Sequence, residues 1–232
     1  MVRISDRLRT VAHMCEKGAV VADIGTDHGY LPIYLVQEGI ARSAIAMDLR
    51  KGPLDKAKKH ICDNCLEDRI QTRLSDGLEK LSANEADIIT ICGMGGRLIA
   101  DIVTKGMNVN TTLIVSPQSE VGDFRHFLVS QRLVVDDEKM LKEDGKYYFI
   151  IKCRKSDENV YSEYSETQYQ YGWKLLENKD KTLYEYLIKE KETNDGISNS
   201  LKKDESNPTV KLRLQQLSQK NNIIMDALSY YD

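Results

Sequence analysis

Three aspartates, Asp23, Asp48 and Asp76, fall at or near the ends of three successive stretches with strand character. Asp48 lies 23 residues beyond Gly25, where a βαβ nucleotide fold places the carboxylate that takes ribose hydroxyls. Asp76, with Gly77 leaving space beside it, suits the exocyclic amine of an adenine. Between Asp23 and the next helix lies Gly25-Thr26-Asp27-His28-Gly29-Tyr30, whose glycines let backbone approach a ligand ahead of a helix N-terminus. A dinucleotide fold would want glycine in the middle of this turn, but the position is Asp27. A carboxylate there repels a pyrophosphate and attracts a cation. An adenosine ending in a sulfonium and an amino group satisfies all these positions at once, which points to S-adenosylmethionine.

The elements that must position these residues read along the chain in order. Ser5 caps an expected helix over 3–16, which carries Arg3, Arg7 and Arg9. Val20 to Ile24 is a strand, followed by the glycine turn and a helix in which Pro32 falls in the first turn. A second strand spans 44–48, and Pro53 opens a helix to about Cys65 with Lys56, Lys58 and Lys59 on its exposed side. The third strand is 70–74, and a short helix is expected through Leu78 and Leu81. A fourth strand over 86–92 runs into Gly93-Met94-Gly95-Gly96, and a fifth spans 112–116. Residues 133–135 and 147–151 flank a Lys142-Glu143-Asp144-Gly145-Lys146 turn, the pattern of a hairpin. Five βα units closed by a hairpin predict a Rossmann-like α/β fold, a doubly wound and mostly parallel sheet with a terminal antiparallel hairpin, over residues 1–155.

From 156 to 232 strand signals vanish. Val210, Leu214, Leu217, Asn221, Ile224 and Leu228 follow a heptad spacing, with Asn207-Pro208 opening the helix. An earlier helix over 180–201 carries Leu183, Leu187, Ile197 and Leu201. Two such helices joined by Asp204-Glu205-Ser206 predict a second domain, an antiparallel coiled-coil hairpin with Asn221 setting register.

Composition narrows the class. The 232 residues are 41% hydrophobic and 30% charged, as in a globular protein. No apolar run reaches the roughly 20 residues of a membrane span, and the N-terminus lacks the apolar core of a signal peptide. Cytoplasm without membrane attachment is the expectation. Five cysteines, an odd number without a scaffold pattern, are expected as thiols. Cys62-Asp63-Asn64-Cys65 has no second pair to complete a zinc site, so no metal is expected. The net charge of −3 gives no global attraction to phosphate. Residues 156–232 hold 10 Lys+Arg against 14 Asp+Glu, whereas 1–155 hold 23 against 22. A polyanion would therefore lie over the larger domain.

The run Asp23-Ile24-Gly25-Thr26-Asp27-His28-Gly29-Tyr30-Leu31-Pro32, taken with Gly93-Met94-Gly95-Gly96 and the C-terminal helical seam, resembles the bacterial TrmK family. These are Rossmann-like S-adenosylmethionine-dependent enzymes that methylate N1 of the adenine at position 22 of tRNA. The resemblance covers nearly the whole chain. It implies cofactor contacts at Gly25, Asp27, Gly29, Asp48, Asp76 and Gly77, with Gly93 and Met94 at the junction of cofactor and substrate. Asp23 and Leu49 complete the candidate cofactor set, and Arg7, Tyr30, Gly95 and Lys58 are candidate tRNA contacts. The expected oligomeric state is a monomer or weak dimer.

The residues agree with that resemblance on one point. Enzymes that methylate exocyclic amines usually carry Asn/Asp-Pro-Pro-Tyr/Phe after the fourth strand, and here that place has only glycines and a methionine. N1 of adenine already has an in-plane lone pair and needs only alignment with the methyl group. Its product is cationic, so a nearby carboxylate favours the transition state. Asp27 is the candidate, and holding the turn or the cofactor is its competing role. His28 is either a proton relay or a hydrogen-bonding prop. Tyr30 either stacks on a base or packs at the helix start. Cys92 lacks the preceding proline of carbon-5 pyrimidine methyltransferases. Two other readings stay open. A small-molecule N-methyltransferase predicts a closed pocket above residues 93–96, and a non-catalytic nucleotide-binding module with a partner-binding coiled coil predicts binding without turnover.

Overall fold

A computed structural model describes residues 2–106, 111–156, 163–204 and 206–232. The chain divides into two compact units, Met1–Tyr161 and Ser162–Asp232. In the first unit the elements run α1 (Asp6–His13), β1 (Ala19–Ile24), α2 (Tyr30–Gln37), β2 (Ala41–Asp48), α3 (Lys51–Asp63), β3 (Ile70–Leu74) and β4 (Ile88–Cys92). They continue with α4 (Gly96–Gly106), β5 (Thr112–Ser116), α5 (Val121–Ser130), β6 (Leu133–Glu143) and β7 (Lys146–Lys155).

The seven strands form one sheet in the order β3-β2-β1-β4-β5-β7-β6. The first five are parallel, β7 runs antiparallel to β5, and β6 closes the edge as the hairpin partner of β7. The expected Rossmann-like sheet with a terminal hairpin is therefore present. Because all five parallel strands point one way, their C-terminal ends share one edge of the sheet. The chain order reverses between β1 and β4, so that edge has a crevice there, where open α/β sheets bind ligands. One face buries Val11, Ala12, Leu31, Ile33, Leu35 and Ile61 from α1, α2 and α3 against Val21, Ile88, Ile114 and Ile150. Ile99, Ile102, Phe124 and Leu128 of α4 and α5 are also buried.

Ser5 caps α1 as expected, its hydroxyl accepting from the N–H of Leu8 at 3.3 Å. The expected helix through Leu78 and Leu81 is absent, and turns occupy that stretch. Local polar groups explain the difference. The Ser75 hydroxyl donates to the Gly77 carbonyl and accepts from the Lys80 N–H, Glu85 takes the Ser82 N–H, and Arg73 reaches the Lys80 carbonyl. Side chains that satisfy backbone groups in this way compete with the helix ladder.

A buried ion pair ties α5 to β6, with Arg125 Nε donating to Glu138 at 2.8 Å and both side chains fully buried. Taking one partner from such a pair strands a charge. Glu138→Ala is expected to lower stability by about 3–5 kcal/mol, read as the shift in the urea unfolding curve.

The regular elements among the second unit's described residues are all helical: α6 (Glu166–Tyr171), α7 (Trp173–Glu177), α8 (Lys181–Leu201) and α9 (Pro208–Leu228). α6 and α7 were not anticipated. Asn207 caps α9 with Pro208 in its first turn, as expected, and Asp180 caps α8. α8 and α9 pack against each other, and Leu183 and Leu187 of the first and Leu217, Ile224 and Ala227 of the second are buried. Buried Asn194 donates to Asn221 at 3.1 Å. Ile197, expected in the seam, is exposed. Of the expected turn, Glu205 lies outside the described residues. Among the described residues no helix is long and apolar enough to cross a membrane.

Candidate active site at the carboxyl edge of the sheet

β1 ends in the turn that the sequence marks. Gly25 and Gly29 adopt φ values of +71° and +76°, and His28 between them is also left-handed at +59°. Only glycine takes such angles without cost. A side chain at Gly25 would fall on the terminal methyl of Met94, so the turn after β1 and the turn after β4 are in contact. The Met94 backbone is held, its carbonyl accepting from the Gln118 N–H at 2.9 Å. Gly95 and Gly96 pack against Ser119 and Glu120, where a Cβ would collide with the loop after β5.

Asp23 is buried on the face covered by α1 and α2, and its carboxylate accepts from the Thr90 hydroxyl at 2.8 Å. Burial raises its pKa to about 6, the hydroxyls of Thr26 and Thr90 hold it down in part, and the Asp27 and Asp48 carboxylates add to the rise. Asp48 closes β2, buried, with Oδ1 accepting the Arg50 N–H at 2.7 Å. Leu49 beside it is 64% exposed, an unusual state for a leucine. The Asp48 carbonyl accepts the Ser75 N–H, which brings Asp76 and Gly77 alongside. The sheet therefore gathers Asp23, Gly25, Asp27, Gly29, Asp48, Leu49, Asp76, Gly77, Gly93, Met94 and Gly95 along one edge.

Asp27 points outward, its side chain 84% exposed, with Oδ1 3.2 Å from Nε2 of His28. His60 of α3 donates through Nδ1 to the His28 carbonyl at 3.0 Å. The rings of His28, Tyr30 and His60 lie within about 20° of parallel, with centroids 5.1 to 5.9 Å apart. His60 is not among the site residues expected from the sequence. Its signal is helical spacing, since it follows Ala57, the residue packed against Gly29, by one turn. Lys58 of α3 is exposed. The helix expected over 3–16 begins only at Asp6, so Arg3 precedes it; Arg3 and Arg9 are exposed, and Arg9 pairs with Asp6. The Arg7 guanidinium instead turns onto the Tyr148 ring, 5.1 Å from its centroid.

Acids after β1, β2 and β3 around a glycine cradle fit an adenosine ligand with a cationic tail, and a family profile described as "Methyltransferase domain" matches residues 4–151. The first unit is a methyltransferase domain. A curated tRNA (adenine(22)-N(1))-methyltransferase of Bacillus subtilis is 41% identical over 162 residues, 68% of this chain and 68% of that protein. The crystal structure of the B. subtilis m1A22 tRNA methyltransferase TrmK superposes with a TM-score of 0.85 at 31% identity, covering 98% of this chain and 100% of that one. M. capricolum TrmK in complex with S-adenosyl-homocysteine, the cofactor product, gives 0.84 at 32% identity, covering 98% of each. This chain belongs to the TrmK family.

Proposed function

We propose that this protein transfers the methyl group of S-adenosylmethionine to N1 of adenine 22 in tRNA. The observation that carries the reading is the pairing of two turns. The β4 turn has no side chain able to grip an exocyclic amine, and the β1 turn beside it presents an exposed carboxylate. The cofactor, when bound, supplies an electrophilic methyl on a sulfonium. Asp48 and Leu49 would hold its ribose and Asp76 its adenine, with Gly77 leaving room. Gly25, Gly29, Gly93 and Met94 form the cradle, and Asp23 meets the ammonium.

Asp27 accepts a hydrogen bond from the amino group of the target base and offsets the positive charge that grows on the ring as N1 becomes alkylated. His28 fixes that carboxylate through Nε2 and, held by His60, acts as a prop rather than a proton relay. Tyr30 offers a stacking face to the base, Gly95 lets the nucleotide approach, and Lys58 meets a phosphate, a contact that positions without reading sequence. Residues 1–155 act as the catalytic domain and 156–232 as a helical arm. The antiparallel packing of α8 on α9, with Asn194 bonded to Asn221, supports a short coiled coil that meets tRNA by shape. The protein works in the cytoplasm as a monomer or weak dimer.

The raised Asp23 pKa sets a pH dependence. The group binds its proton more tightly in the fold than in the unfolded chain, so without cofactor its contribution to stability rises as pH falls from about 6 towards 4. A cationic cofactor needs the ionised form. Affinity for S-adenosylmethionine should fall about tenfold per pH unit below about 6. In Asp23→Asn that slope flattens, measured by titration calorimetry between pH 5 and 8. The whole reading is tested with unmodified tRNA carrying either adenine or guanine at position 22. Methyl transfer to the first alone is expected, and equal transfer to both contradicts it.

A further inference from the structure

The loop after β5 brings to the site a group that the account above leaves unused. Backbone hydrogen bonds lace this loop to the turn after β4 in both directions. The Gln118 N–H donates to the Met94 carbonyl at 2.9 Å, and the Gly93 and Gly96 N–H groups donate to the Ser116 and Ser119 carbonyls at 3.3 and 2.9 Å. Pro117 is buried, whereas Gln118, Ser119 and Glu120 are exposed. Two of these three serve the β4 turn itself. Ser119 packs against Gly95, and Glu120 accepts the Arg97 N–H at 3.4 Å. The Gln118 side chain is left over, with no hydrogen bond to its terminal amide among the described residues. Its Nε2 would lie 3.8 Å from a Cβ at Gly93, and Gly25 of the β1 turn meets the Met94 methyl. One contiguous row therefore runs from the Asp27 turn through Met94 and Gly93 to this amide.

A neutral amide is a poor partner for phosphate, and the Glu120 carboxylate two residues on disfavours an anion further. What a primary amide matches is an edge of adenine. Its oxygen accepts from the N6 amino group while its nitrogen donates to N7, the bidentate pairing by which Asn and Gln read this base. Guanine presents two acceptors there, O6 and N7, and the amide can meet only one of them. We propose that Gln118 reads the N6/N7 edge of the target adenine and is the residue that sets the choice of base. This rests on the N1-adenine reading and deepens it. Asp27 takes the amino hydrogen on the N1 side, and Gln118 takes the one on the N7 side. Both hydrogens are then held in the ring plane, and N1 is the lone pair left open beside them for the methyl group.

The test measures single-turnover methylation by the full-length protein, at saturating S-adenosylmethionine, of tRNA carrying adenine or 7-deazaadenine at position 22. The deaza base keeps N1 and the amino group and replaces N7 by C–H. The rate ratio of adenine to 7-deazaadenine should be about 5- to 50-fold larger in the wild type than in Gln118→Ala, the coupling of one arm of a bidentate contact. Comparing the two ratios cancels the change in ring basicity, which the deaza base brings to both proteins. Gln118→Glu keeps the acceptor and loses the donor, so it should fall further on adenine than on 7-deazaadenine, where no lone pair faces the carboxylate. Affinity for S-adenosylhomocysteine should stay within about twofold of wild type in both variants. Equal ratios in the wild type and Gln118→Ala overturn the proposal, as does Gln118→Ala that methylates the adenine tRNA as fast as the wild type. A loss of cofactor affinity as large as the loss of rate assigns Gln118 to the cofactor and overturns it too. Wild-type protein that methylates neither tRNA overturns the N1-adenine reading itself, and the base-reading role with it.

Discussion

Gly25→Val is expected to reduce affinity for S-adenosylmethionine by more than about 100-fold while leaving the sheet intact. Two effects add. The backbone at Gly25 is left-handed, at φ +71°, which costs a β-branched residue about 1–3 kcal/mol. The new Cβ would also overlap the Met94 methyl, the far end of a flexible side chain that has to swing aside. The turn after β1 is strained and the Met94 side chain is displaced, and both form the cradle. Titration calorimetry reads the affinity, and circular dichroism confirms that the fold persists. Affinity within about tenfold of wild type would mean that the cradle is not where the cofactor sits.

Asp27→Ala is expected to lower kcat for tRNA methylation about 100- to 1000-fold, the scale of losing one electrostatic group at a reacting centre. Its carboxylate is exposed and, among the described residues, paired with His28, so the substitution should be almost silent in thermal stability. Asp27→Asn keeps a partner for His28 but removes the charge, so it separates the two roles. A fall in kcat with unchanged cofactor affinity assigns Asp27 to the stabilisation of the cationic base. A fall in cofactor affinity with kcat preserved at saturation assigns it to the cofactor alone.

Residue order alone made the β1–turn–α2 unit and the acids after β2 and β3 legible, because each combines an apolar run with glycine or aspartate at a position that few other arrangements need. The hairpin was legible for a similar reason, since Asp144-Gly145 sits between two apolar runs. The stretch after β3 misled because Leu78 and Leu81 carry helical spacing, and the competing bonds of Ser75, Arg73 and Glu85 are tertiary facts. α6 and α7 are too short for periodicity to register, although Ser165 and Gln168 form a capping box that was readable in principle. In the helical seam, spacing alone does not show that Asn194 is buried and Ile197 exposed. At the site, the inward turn of Arg7 and the approach of His60 to His28 depend on how α1 and α3 pack on the sheet. Composition carries no trace of that packing.

The central claim is that a ring nitrogen of one tRNA adenine is the methyl acceptor. The most direct test incubates the protein with labelled S-adenosylmethionine and unmodified tRNA, digests the RNA, and identifies the labelled nucleoside by mass spectrometry. The account predicts one N1-methyladenosine per tRNA, at position 22, lost in Asp27→Ala. Label in N6-methyladenosine would contradict the reading of the β4 turn. No label in any tRNA, from protein that binds the cofactor, would contradict the tRNA reading and bring a small-molecule acceptor forward.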